Sequence, residues 1–145
     1  MYKHLLIASD GSDLAQKAVE HGLTLARALN AQATVITVTE PWDALMSGNN
    51  ISVLPRAAYD ENVAMAASKT LTGASDIAGR LGLSCGTLHV RDRFAAEGII
   101  GAAAEKGCDL IVMASHGRRG LKRLLLGSVT SEVVTHSAIP VLIYR

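Results

Sequence analysis

Aromatic side chains are scarce in this chain, only 3% of its 145 residues, and cysteine occurs just twice. With so few rings, the core has to be filled by Ala, Val, Leu and Ile, which suits stacked layers of helix and sheet. Cys85 and Cys108 form no Cys-x-x-Cys unit. They read as small semi-buried fillers with reduced thiols rather than as a redox pair. The histidines, His4, His21, His89, His116 and His136, are scattered. Cys85 and His89 share a strand-like run, where a spacing of four makes no helical metal pair. No structural metal is expected.

Long apolar runs are missing as well. Mean hydropathy is positive, yet no purely apolar run approaches the ~20 residues that cross a bilayer. The opening run from Leu5 to Ala8 is broken at once by Ser9 and Asp10, whereas a secretory core needs roughly 7–15 apolar residues. A cytoplasmic location is the expectation. The net charge of +1 offers neither a basic nor an acidic field, so no nucleic-acid or membrane partner is expected.

What the chain does have is alternation. Leu5-Leu6-Ile7-Ala8 predicts a strand buried on both faces. Ser12 or Asp13 can cap the helix that follows. Along that helix Ala15, Ala18, Val19, Gly22, Leu25, Ala26 and Leu29 recur at helical spacing, and Asn30 stops it. Ala33 to Thr39, rich in β-branched residues, is the second strand. Residues 40–54, with Pro41, Gly48, Asn49 and Asn50, read as an irregular loop closed by Pro55. A long helix is predicted over Arg56 to Leu81, and a third strand over Ser84 to Val90. Asp92 is the expected cap of a helix with Ala95, Ala96, Ile99, Ile100 and Ala103 on one face, ended by Gly107. Leu110 to Ala114 is the strongest strand. A glycine- and arginine-rich loop, Ser115 to Gly127, leads to a helix over Val129 to His136. Pro140 then opens the last strand, Val141 to Tyr144. Strict alternation predicts a single α/β domain spanning 1–145. The expected architecture is an open five-stranded parallel sheet, order 3-2-1-4-5, with helices on both faces, Rossmann-like.

In such a sheet ligands bind beyond the carboxyl ends of the strands, where the strand order reverses. Ala8-Ser9-Asp10-Gly11-Ser12 follows the first strand and Ala114-Ser115-His116-Gly117 the fourth, so the two clusters would face each other. Asp10 is placed to accept hydrogen bonds from ribose hydroxyls. Gly117 lets a backbone approach a phosphate. Gly127 and Ser128 open the last helix, whose free N–H groups favour an anion. Ser128 and Thr130 would add hydroxyl donors, and Arg118, Arg119, Lys122 and Arg123 positive charge. Taken singly, each has a plainer reading: Asp10 as a helix cap, the basic residues as solvated surface, His116 as a turn residue. Their meeting at one reversal point favours a ligand.

Val112-Met113-Ala114-Ser115-His116-Gly117, nine intervening residues and then Gly127-Ser128 resembles the signature of the nucleotide-binding universal stress proteins. That signature is Gly-x-x-Gly, nine residues, then Gly followed by Ser or Thr. The opening Tyr2 to Ser12 and the ending Ala138 to Ile143 are similar to the family's first and last strands. The resemblance implies an adenine pocket at Ala8 and the backbone around Val38, with a ribose contact at Asp10. It implies a phosphate cradle from Gly117 to Gly120 with Gly127, Ser128, Val129 and Thr130. The full candidate set adds Ser9, Met113, Ala114, Ser115, His116, Arg118 and Arg119. The implied ligand is ATP, or AMP, often with magnesium. The implied assembly is a homodimer through Val141, Leu142 and Ile143, which would otherwise form a bare sheet edge. Ala114 departs from the family by standing where the first signature glycine does.

No nucleophile, base and orienting group can be named together. The leading reading is therefore a dimeric stress-response regulator with weak or no ATP hydrolysis. Two alternatives stay open. One is an ATP-cleaving enzyme of the pyrophosphatase type, to whose loop Ser9 to Asp13 bears a poor likeness. The other is a dimeric scaffold that no longer binds nucleotide.

Overall fold

The computed structural model describes residues 1–46, 54–118 and 125–145. Its strands are β1 (His4–Ala8), β2 (Gln32–Thr39), β3 (Gly86–Arg91), β4 (Leu110–Ala114) and β5 (Val141–Tyr144). The helices are α1 (Asp13–Leu29), α2 (Trp42–Met46), α3 (Arg56–Arg80), α4 (Ala95–Glu105) and α5 (Ser128–His136). The strands form one five-stranded sheet in the order β3-β2-β1-β4-β5, and every pairing is parallel. Ile7 at the centre of the sheet registers with Val35 on one side and Val112 on the other.

Alternating side chains build two cores. Leu5, Ile7, Val35, Leu110 and Val112 face α1 and α3, where Val19, Leu23, Ala74, Ile77 and Ala78 complete the layer. Leu6, Ala8, Ile36, Ile111 and Met113 face α4 and α5, packing with Ala96, Ile99, Ala102 and Val133. Helix α1 rests very close to the sheet: a Cβ on Gly22 would stand 2.9 Å from Ile7 Cδ1 and 3.3 Å from Val112 Cγ1. Both thiols are free. Burial, followed by the Asp109 carboxylate, pushes the Cys108 thiol up to about 11, and burial also raises that of Cys85. Thiols held protonated are poor nucleophiles, as expected of packing residues.

Local signals account for both ends of α1. The Ser12 hydroxyl accepts the Ala15 N–H and caps α1, and Asn30 ends that helix in a left-handed conformation. Two expectations are corrected. The stretch predicted as irregular contains a short helix, α2, whose first residue, Trp42, donates its Nε1–H to the Leu54 carbonyl. Asp92 does not cap α4. It takes a left-handed φ of 55° at the turn out of β3, and the N-cap is Phe94, which makes no side-chain capping bond. The short aspartate side chain tolerates that φ, so the residue serves the turn instead of the helix.

The amino end of the sheet is pinned by Asp109. Its carboxylate accepts the Lys3 N–H at 2.7 Å and the His4 N–H at 3.1 Å, while its own N–H donates to the His4 carbonyl. The Lys3 bond leads in holding the carboxyl below the ordinary 3.8. A depressed folded-state value means the stabilisation is present above the unfolded value and is lost as pH falls through the folded one. Asp109→Asn is expected to be less stable than the parent at neutral pH. Urea titrations at a series of pH values should show that gap narrowing below about pH 4. A gap that stays constant on acidification would refute the assignment.

Candidate functional site

The strand order reverses between β1 and β4, so their carboxyl ends leave a crevice between diverging connections. Ala8 and Ser9 at one wall, and Met113, Ala114 and Ser115 at the other, are buried. Asp10, Gly117, Arg118 and Ser128 are exposed at the rim. The Ser9 N–H continues the β1 ladder by donating to the Ile36 carbonyl at 2.9 Å, and the Ser115 N–H does the same toward Tyr144 at 2.8 Å.

Asp10 joins the two walls. Its Oδ1 accepts the Ser12 N–H at 3.0 Å, closing the turn after β1. Its Oδ2 accepts the Arg118 N–H at 2.8 Å, from the loop after β4. The carboxylate lies so near Gly117 that a Cβ there would collide with Oδ2. Gly11 has a φ of 81°, and a Cβ on it would stand 2.6 Å from Thr70 Oγ1 and 2.9 Å from Arg118 Nη2. The Arg118 guanidinium thus lies over the turn after β1, beside α3. Thr70 is a site neighbour that sequence reading missed. Nothing in its local sequence marks it, because only the packing of α3 brings it there.

The entrance to α5 is built against the same loop. The Gly127 N–H donates to the Ser115 carbonyl at 2.8 Å, and a Cβ on Gly127 would lie 3.2 Å from His116 Cα. Gly127 is the N-cap and supplies no side-chain acceptor. The first helical bond runs from the Ser131 N–H to the Gly127 carbonyl. The N–H groups of Ser128, Val129 and Thr130 precede it and point toward the crevice end of the helix, the geometry that attracts an anion. Thr130 departs from expectation. It is buried, and its hydroxyl donates to the Ala114 carbonyl at 2.9 Å, so its O–H is not free for a phosphate. Ala114 has ordinary extended geometry within β4, and its methyl packs among Ala15 and Ala18 of α1. Its side chain requires no left-handed backbone.

Val38 lies near the end of β2, next to β1, with its methyl groups against Gly98 of α4. Val129 packs on the α4–α5 side of the sheet. Arg119, Gly120, Lys122 and Arg123 lie outside the described residues. Ser115 Oγ and His116 Nδ1 are 3.1 Å apart.

Two hollows lie elsewhere. A polar one of about 90 Å³ sits at the ends of β2 and β3, lined by Thr39, Glu40, Tyr59, Asp60, Arg91 and Asp92 among others. There the Tyr59 hydroxyl donates to the Glu40 carbonyl, and burial followed by the Glu40 charge raises its pKa. Nearby, Thr39 Oγ1 pairs with His89 Nε2, and burial, with help from Arg91, lowers the His89 pKa. The larger hollow, about 440 Å³, is apolar and lies at the opposite, amino end of the strands between Met1, Leu25, Leu29 and Leu142. It is remote from every candidate ligand residue.

The model of the Universal stress protein family matches residues 1–145. The universal stress protein YxiE of Bacillus subtilis is 35% identical over 149 residues, covering 100% of both chains. The solved structure of MJ0577, from Methanocaldococcus jannaschii, is 26% identical, covers 99% of this chain and 96% of that one, and superposes with a TM-score of 0.79. A universal stress protein from Archaeoglobus fulgidus, solved in complex with dAMP, covers 99% of this chain and 98% of its own at a TM-score of 0.73. Its identity is 22%, a likeness of fold.

Gly117→Ala is expected to push the Asp10 carboxylate off the Arg118 N–H. A hydrogen bond to a charged acceptor contributes about 1.5–3 kcal/mol, so Arg118 amide exchange should quicken by roughly 10- to 100-fold. Asp10→Ala should give the same change at that amide. An unchanged Arg118 exchange rate in both variants would refute the link.

Proposed function

The chain belongs to the universal stress protein family, and we propose that it binds an adenine nucleotide, ATP or AMP, in the crevice between the carboxyl ends of β1 and β4. The observation that carries this reading is the double hydrogen bond to Asp10, which holds the turn after β1 and the loop after β4 at one spacing. An ionised carboxylate has about four acceptor positions. Two are occupied here, and the remainder face solvent at the rim, where ribose hydroxyls would reach them. The helix start at Gly127 and Ser128 supplies backbone N–H groups for phosphate, whereas the space beside Gly117 is taken by the Asp10 carboxylate rather than left for a ligand. The dAMP complex of a protein with the same fold makes adenine nucleotides the first ligands to test.

Turnover is weak or absent in this reading. Ser115 and His116 form a hydroxyl–imidazole pair, but the serine is buried, and among the described residues no carboxylate bonds to that imidazole. Binding with little hydrolysis fits a regulator read by its nucleotide state. The extended geometry of Ala114 supports a site that tolerates alanine where the family signature has glycine. A cytoplasmic homodimer completes the proposal. Among the described residues β5 pairs only with β4, its side chains are half-buried, and the apolar hollow beside Leu142 continues the same face. A second copy laid against that edge would satisfy both its backbone and its apolar surface.

Calorimetric titration, with and without magnesium, should show saturable binding of ATP or AMP and weaker binding of GTP. Asp10→Ala should weaken binding about 10- to 100-fold, the range for a hydrogen bond to a charged group, and Gly127→Arg should abolish it. Flat titrations with all three nucleotides would leave only the scaffold. Sedimentation velocity should show a dimer that Leu142→Lys dissociates. A strictly monomeric profile at high concentration would count against the edge interface.

A further inference from the structure

Phe94 is the only phenylalanine in the chain, and it is 55% exposed. Its position is unusual for such a side chain. It is the N-cap of α4 and makes no capping bond, although Ser, Thr, Asp or Asn there would satisfy a helix N–H. An aromatic ring at this point therefore forgoes both a cap and most of its own burial.

Its surroundings give it a use. The left-handed turn at Asp92 brings the chain back over the end of β2, where the Arg93 N–H approaches the Thr39 carbonyl at 3.4 Å. The Gly98 N–H donates to the Phe94 carbonyl at 2.8 Å, and Gly98 itself abuts Val38, where a Cβ would lie 2.8 Å from Val38 Cγ1. Phe94 thus stands one helical turn above the Val38 contact, at the carboxyl rim of β2. β2 is the direct neighbour of β1, whose end carries Asp10. A nucleotide with its ribose at Asp10 and its phosphates toward α5 would extend its base in this direction.

Resting on the adenine-nucleotide reading above, we propose that Phe94 is the base-stacking residue of this chain, closing over one face of a purine held at the end of β2. A flat, polarisable ring is the partner that an aromatic base prefers, and such stacking depends little on hydrogen-bonding pattern. The contact would favour purine over pyrimidine nucleotides, and leave the phosphate contacts at α5 untouched.

Calorimetry of ATP binding tests this with Phe94→Ala, Phe94→Trp and Phe94→Ser. The alanine and serine variants should bind about 10- to 100-fold more weakly, and the tryptophan variant should stay within about threefold of the parent. The serine variant supplies a capping hydroxyl, so its melting temperature should not fall. Because the ring is unique, NMR on the parent protein should show unambiguous nuclear Overhauser contacts from the phenylalanine protons to adenine H2 or H8. That measurement decides the matter even if a variant fails to fold. If the parent binds ATP without these contacts, or Phe94→Ala binds as tightly as the parent, the stacking assignment falls and the nucleotide reading stands. An equal loss in the tryptophan variant also overturns it. A parent that binds no nucleotide overturns both.

Discussion

Two backbone N–H groups converge on one exposed carboxylate, Asp10, and they come from opposite walls of the crevice. The Ser12 N–H shapes the turn after β1. The Arg118 N–H arrives from beyond β4, more than a hundred positions along the chain. This pair of bonds sets how far apart the two loops stand, and so sets the width of the crevice. The glycine at 117 is part of the same arrangement, because a side chain there would displace the carboxylate.

The scaffold beneath explains why the spacing holds. β1 is the middle strand, buried on both faces, and α1 lies close against it because Gly22 has no side chain to hold it away. α4 lies comparably close to β2 through Gly98. On the far side, the Ser115 carbonyl takes the Gly127 N–H and the Ala114 carbonyl takes the Thr130 hydroxyl. These two bonds lock the start of α5 onto the end of β4. Both walls of the crevice are therefore anchored in close-packed layers, and interiors of that density yield little.

The architecture was legible because the signals behind it are periodic or local. Buried strands such as Leu110–Ala114 appear as continuous apolar runs, and helix α1 is bounded by residues of the right type, Ser12 with a capping hydroxyl and Asn30 tolerant of a left-handed backbone. The misreadings have physical causes. Asp92 looked like a cap because aspartate is a good one, but the turn out of β3 demanded a left-handed residue first. The helix at Trp42–Met46 is too short for periodicity to reveal. At the candidate site, the sequence singled out Asp10, Gly117 and Gly127 because the alternation placed the first two after neighbouring strands and the third at the start of the last helix. It could not show that the Thr130 hydroxyl is already engaged, nor that Thr70 approaches Gly11. Those facts are tertiary, decided by which surfaces meet.

Gly11 is constrained twice over, by its backbone angle and by the Thr70 hydroxyl and Arg118 guanidinium pressed against it. Relief of one constraint leaves the other standing. A residue tolerant of the angle, such as asparagine, would still meet α3, and trimming Thr70 would not make the angle comfortable for a branched side chain. Change at this position therefore needs both an angle-tolerant residue and a smaller neighbour at 70. Copies of the gene can diverge over their helices and outer loops, yet this one codon has almost nowhere to go.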